Sequence, residues 1–159
     1  MDKLLELLEN DCTLTNEQLA VMTEQSAQQV ADAIAQYKKD NVILKNKSVI
    51  NWEKTDKEFV TALIELKVTP QRGEGFDKIA ERIYQYPEVK SLYLMAGSFD
   101  LTVIIEGRTL QEVSLFVSTK LAPMEQVTGT ATHFVLKKYK DENVIFSEPE
   151  KDDRQVITL

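Results

Sequence analysis

One cysteine, Cys12, and one histidine, His133, are the entire supply of those two residue types in 159 residues. A lone thiol excludes an internal disulfide, and a single imidazole leaves no Cys/His set with zinc-ligand spacing, so neither a structural metal nor a cofactor is expected. The same scarcity rules out Ser/His/Asp and Cys/His nucleophilic sets, because the two residues lie at opposite ends of the chain. Carboxylate pairs occur, as they do in any acidic protein, and the chain is not expected to be an enzyme.

Glycine-rich phosphate loops are also missing. Arg72-Gly73-Glu74-Gly75 carries two glycines, but neither a Gly-x-x-x-x-Gly-Lys-Ser/Thr nor a Gly-x-Gly-x-x-Gly run follows, so it reads as a loop before a helix. No apolar run reaches the roughly 18 residues that cross a bilayer, and MDKLLELLEND places acids where a secretory leader is basic. A cytoplasmic location without membrane contact is the expectation. Positive charge is short too: 19 basic against 26 acidic side chains give a net charge of -7, which opposes non-specific attraction to phosphate or anionic lipid.

What is present is a hydrophobic content of 43%, ample for the core of one domain or two small ones. Leu4, Leu5, Leu7 and Leu8 form the apolar face of a first short helix. Thr15 stands three residues before Gln18 and Ser26 three before Gln29, so each pair predicts a capping box at the start of a further helix. Val30, Ile34 and Tyr37 mark the inner stripe of the third helix, leaving Gln28, Gln29, Asp32 and Gln36 off it, and Asn41 is its left-handed C-cap. VILK and SVIN, around Lys45-Asn46-Lys47, read as a β-hairpin or wing. Three helices and a wing describe a winged helix-turn-helix over residues 1–52.

The period changes from Lys57, with the domain boundary near Asn51 to Asp56. EFVTALIELKV alternates as a strand, with Val60, Ala62, Ile64 and Leu66 on one face and Phe59, Thr61, Leu63 and Glu65 on the other. A helix bearing Phe76, Ile79, Ala80, Ile83 and Tyr84 follows, then strands VKSLYLMA and FDLTVIIE flanking Gly97-Ser98. A second helix bears Leu110, Val113, Phe116, Val117 and Leu121, and VTGTATHFVLKKY is the last strand. The order βαββαβ predicts a ferredoxin-like domain over 57–142 in an α+β protein, with 143–159 as a C-terminal extension whose end is charged and then briefly apolar. Both sheet faces carry apolar residues while both helices cover only one, so the second face is expected to meet a partner subunit.

Leu19-Ala20, Ser26, Val30 and Val42-Ile43 in the first half, with AGSFDLTVIIEG and VTGTATHFVLKKYK in the second, together resemble the Lrp/AsnC family of transcriptional regulators over nearly the whole chain. The resemblance implies a C-terminal domain that dimerises through its sheet, dimers that assemble further into tetramers or octamers, and an amino-acid effector bound between dimers. It places the effector on Gly97, Ser98, Phe99 and Asp100 and on Thr130, Thr132 and His133. A carboxylate such as Asp100 can pair an α-ammonium, while loop amides and threonine hydroxyls can receive a carboxylate. The alternative is that Gly97-Ser98 is a hairpin turn capped by Asp100, with threonines chosen for the strand and His133 on its surface.

Double-stranded DNA is the partner implied for the N-terminal half, yet the sequence departs from the family there. Asp32 and Ala33 stand where arginine is usual, and Glu24 replaces the turn glycine. Residues 1–55 hold six lysines against nine carboxylates. Phosphate neutralisation and bidentate arginine contacts to guanine are therefore both depleted. Ser26, Gln28, Gln29 and Gln36 remain as readers of base edges, with Lys38, Lys39, Lys45 and Lys47 as a phosphate-contacting edge. Two functions follow: a DNA-binding regulator whose oligomer responds to an amino acid, or an oligomeric sensor or partner-binding protein whose head has lost much of its DNA affinity.

Overall fold

The computed structural model describes residues 2–70 and 75–146. Residues 72–74 of the glycine-containing loop and residues 147–159 of the expected extension lie outside that range. The chain divides into two units, Met1–Ile50 and Asn51–Leu159.

In the first unit the capping residues set the helix starts. Asp2 accepts from the Leu4 amide ahead of α1 (Lys3–Asn10), while Thr15 and Gln18 form a reciprocal capping box ahead of α2 (Asn16–Thr23). Ser26 and Gln29 form a second box ahead of α3 (Ala27–Lys39). Each box satisfies two amides that a helix start otherwise leaves unpaired. Leu4, Leu19, Ala20 and Val30 are buried together, with Leu7, Leu8, Ile34 and Tyr37 packed around them. Leu19 and Val30 have no exposed surface, and burying each contributes about 1.5–3 kcal/mol. The turn from α2 to α3 passes through Glu24 at φ 56°, and α3 ends at Asn41 with φ 57°, the left-handed conformation expected of its cap.

The wing expected over VILK and SVIN is not formed: among the described residues, 42–50 contain no strand. Val42, Leu44, Val49 and Ile50 remain exposed there. A two-stranded hairpin is marginal in water unless one face is buried, and nothing in this unit covers one.

In the second unit, Asn51 caps a single 3-10 turn, Trp52–Lys54, and the Lys57 ammonium lies 4.0 Å from the centre of the Trp52 ring and 5.6 Å from that of Phe59. Then come β1 (Val60–Val68), α4 (Phe76–Tyr84), β2 (Val89–Leu94), β3 (Leu101–Gly107), α5 (Leu110–Phe116) and β4 (Val127–Phe134). The strands form one antiparallel sheet in the order β2-β3-β1-β4, which is the expected βαββαβ arrangement. Ala62, Ile64 and Leu66 of β1 pair with Ile105, Val103 and Leu101 of β3, and these six face Ile79 and Ile83 of α4 and Val113 and Phe116 of α5. Tyr86 meets Phe116 edge-on at 5.4 Å.

The stripe read as one helix from Leu110 to Leu121 widens into a π turn over Val117–Leu121, where the Ala122 amide donates to the Val117 carbonyl. The wider turn keeps Phe116, Val117 and Leu121 all on the core side. A short hairpin not expected from the sequence follows: β5 (Lys140–Asp141) pairs with β6 (Val144–Ile145) across Glu142 and Asn143, both at positive φ.

Candidate functional site

The first unit offers α3 as its outward element. Ser26 and Gln29 serve the capping box, the Ser26 hydroxyl accepting from the Gln29 amide and the Gln29 side chain accepting from the Ser26 amide. Gln28 donates through Nε2 to Asp32 Oδ1 at 2.9 Å, and Gln36 donates to Asp40 Oδ2 at 2.8 Å. All four polar residues expected to read bases are thus engaged within the helix or its cap. Lys38 and Lys39 occupy the last turn of α3, where cations also favour the helix dipole, and Lys45 and Lys47 lie on the exposed segment that follows. Read from composition, Asp32 is only a repulsive charge; its spacing four residues after Gln28 is the signal for their pairing.

One tie holds the open end of this unit. The Tyr37 hydroxyl of α3 donates to the Asp2 carboxylate at the start of α1. That bond holds the Asp2 carboxyl below the usual aspartate range and raises the Tyr37 phenol above its ordinary value.

In the second unit the β2–β3 connection, residues 95–100, is anchored by Asp100. Its amide donates to the Leu66 carbonyl at 2.9 Å, its carbonyl accepts from the Met95 amide at 2.8 Å, and its Oδ2 accepts from the Val68 amide at 2.8 Å. Val68 sits at a register shift in the β1–β4 ladder, so the carboxylate supplies a partner where the sheet is irregular. Asp100 therefore caps the end of the neighbouring strand rather than its own turn. Its Oδ1 has no hydrogen bond among the described residues.

Strand pairing sorts the remaining candidates by face. Thr130 is opposite Leu66 and Thr132 opposite Ile64, so both lie on the helix-covered side of the sheet at its β4 edge. Asp100 reaches Leu66 from the β3 side and Thr130 from the β4 side, bringing Gly97–Asp100 and Thr130 to the same end of the sheet. His133 is opposite Leu63 and lies on the other face, where its Nε2 is 3.3 Å from Glu65 Oε1. The structure thus puts Thr130 and Thr132 on the helix-covered face, His133 on the opposite one, and the Gly97–Asp100 connection at the sheet end beside Thr130.

That opposite face carries Leu63 and Ile104, half-buried, and Thr102, which is 5% exposed. The Thr102 hydroxyl is buried with no hydrogen-bond partner among the described residues. Groups of three or more His, Cys, Asp or Glu able to hold a metal ion are absent among the described residues, and no described helix is long and apolar enough to cross a membrane.

Residues 61–145 match the family described as the Lrp/AsnC ligand binding domain. The chain is 42% identical over 157 residues to YugG, an HTH-type transcriptional regulator of Bacillus subtilis, covering 98% of this chain and 95% of that one. It is 26% identical over 139 residues to the HTH-type transcriptional regulator FL11 of Pyrococcus furiosus, covering 87% and 89%. Among solved structures, a transcriptional regulator of Neisseria meningitidis in complex with L-Met superposes with a TM-score of 0.73 at 21% identity over 94% of this chain and 96% of its own. AsnC of Escherichia coli superposes with a TM-score of 0.67 at 15% identity, over 87% and 93%; at these identities the two structures speak to the fold. With the family's domain spanning over half the chain and a relative matched almost end to end, the chain belongs to the Lrp/AsnC family of transcriptional regulators.

Proposed function

We propose that this protein binds DNA through α2 and α3 and that its oligomer responds to an amino acid held by the second unit. The observation that carries the reading is the pair of capping boxes at Thr15–Gln18 and Ser26–Gln29, separated by a tight left-handed turn, which builds a helix-turn-helix in the same chain as a family ligand-binding domain. The second, recognition helix of such a motif lies in the major groove with its N-terminal residues at base edges. Lys38, Lys39, Lys45 and Lys47 are the phosphate contacts in this reading, and Ser26, Gln28, Gln29 and Gln36 line the groove.

For the effector, the Gly97–Asp100 connection with Thr130 and Thr132 supplies the complementary chemistry. Asp100 Oδ1 takes the ammonium while Oδ2 keeps its bond to Val68, and loop amides and threonine hydroxyls take the carboxylate. His133 joins this set only across the sheet, from the face that a second subunit covers. The relative crystallised with L-Met supports an amino acid as the ligand class.

Fluorescence anisotropy against random-sequence and selected duplexes at low and moderate salt tests the DNA half. Saturable binding that falls steeply with salt supports the reading. Its absence leaves the second reading, a sensor with a DNA-silent head, which the acidic first unit favours. Calorimetry against the twenty amino acids tests the effector half.

A further inference from the structure

Gln28 and Asp32 are exposed on the first two turns of α3, four residues apart and joined by the 2.9 Å bond from Gln28 Nε2 to Asp32 Oδ1. An ionised carboxylate only accepts hydrogen bonds, so it fixes the glutamine amide: the NH2 group turns to Asp32 and Oε1 turns away. Outward, the pair presents Gln28 Oε1 and Asp32 Oδ2, two acceptors, with a single amide N–H remaining beside them. Residues 27–37 of this helix contain no lysine or arginine, so nothing on that stretch supplies the cationic donor fork that guanine O6 and N7 receive.

In the major groove the donors are the N4 amino group of cytosine and the N6 amino group of adenine. Guanine and thymine offer acceptors at the corresponding edges. We propose that Gln28 and Asp32 act as one acceptor-biased base reader that selects a base carrying a major-groove amino group, cytosine over guanine, so that Asp32 is a specificity-determining residue and not only a charge that phosphate avoids. This rests on the reading that α3 enters the major groove. The Ser26–Gln29 box holds the helix start in place, so the reader is carried on a fixed first turn.

The test is selection from a randomised duplex pool with the full-length chain at low salt, then anisotropy on the selected duplex and its single-base variants, for the wild type, Asp32→Ala and Asp32→Asn. The wild type is expected to prefer cytosine over guanine about tenfold at one position in each half-site. Asp32→Ala flattens that position, so that cytosine and guanine variants of the duplex bind alike. Asp32→Asn shifts the preference toward adenine, which an amide pairs bidentately. Both variants are at an exposed helical position, and circular dichroism verifies that they fold. Wild-type binding without a cytosine preference, or a preference that survives Asp32→Ala, overturns the proposal while the DNA-binding reading stands. No salt-sensitive binding by any of the three overturns both.

Discussion

Asp100 Oδ2 accepts the Val68 amide at 2.8 Å, tying the start of β3 to the irregular end of β1. This places a structural duty on the residue that the effector reading also needs, and the two duties separate chemically. Asp100→Ala leaves a part-buried amide unpaired and is expected to cost about 1–3 kcal/mol in the thermal transition of the second unit. Asp100→Asn keeps an acceptor for Val68 but has no charge for an ammonium. The expected outcome is a melting temperature near wild type and amino-acid affinity reduced at least about tenfold, since charge-assisted bonds are roughly twice as strong as neutral ones. Calorimetry with unchanged affinity for the asparagine variant would falsify the ammonium role.

How much of this was legible in the sequence depends on whether the determinants are local. Capping boxes at Thr15 and Ser26 and alternation from Val60 to Leu66 act within four residues, so helix starts and the inner face of β1 could be read directly. The left-handed Asn41 was legible for the same reason. The wing was not, because Val42, Leu44, Val49 and Ile50 have strand-like residue types but no surface in their own unit to bury against. The positions of the proposed effector residues were only partly legible. Thr130, Thr132 and His133 are near one another in sequence, but period-two alternation sends His133 to the face of Glu65, and its role there emerges only from the register with β1. Asp100 contacts Val68, 32 residues away, and no sequence spacing announces that bond.

Glu24 occupies the left-handed turn between α2 and α3, at φ 56° and ψ 38°. A side chain there costs roughly 1 kcal/mol or slightly more relative to glycine, whose missing Cβ avoids the clash. Glu24→Gly is expected to raise the stability of the first unit by about 1 kcal/mol, partly offset by the added freedom of glycine in the unfolded chain. Urea unfolding followed by helical circular dichroism checks this, and a lower midpoint would show that the glutamate makes a compensating contact. The same substitution removes a negative charge from the turn, so affinity for DNA is expected to rise with it.

The bond from Tyr37 to Asp2 makes the first unit pH-sensitive at both ends of the scale. Because the folded Asp2 carboxyl titrates below its unfolded value, its contribution is present above the unfolded aspartate range and is lost as pH falls through the lowered folded value. The Tyr37 phenol titrates above its unfolded value, so its contribution holds below the ordinary tyrosine range and is lost as pH rises through the raised one. Tyr37→Phe removes the phenol effect and the largest cause of the Asp2 effect, leaving the cap bond from the Leu4 amide in place. Its melting temperature is expected to lie below wild type at neutral pH and to converge with wild type at the acid and alkaline extremes. A constant offset across the whole range would show that the hydroxyl stabilises by packing alone.

The uncovered sheet face carries Leu63 and Ile104 around Thr102, whose buried hydroxyl lacks a partner among the described residues. A buried hydroxyl without a bond costs about 1–3 kcal/mol, which is tolerable if a second copy supplies the partner. Ile104→Lys places a charge at the centre of that face and is expected to convert the oligomer to monomers in sedimentation velocity, with far-UV circular dichroism unchanged because the side chain lies on the face away from the helices. Thr102→Val discriminates further. If the hydroxyl is bonded across subunits, valine weakens association about fivefold or more; if it is an orphan in the assembly too, valine leaves association intact and raises the melting temperature. His133→Ala, which removes the imidazole 3.3 Å from Glu65, is expected to weaken association less than Ile104→Lys, since the contact is partly solvated and even a full exposed ion pair contributes about 0–1 kcal/mol. A dimer that survives Ile104→Lys would move the interface away from this face and leave its apolar residues to be covered by something else.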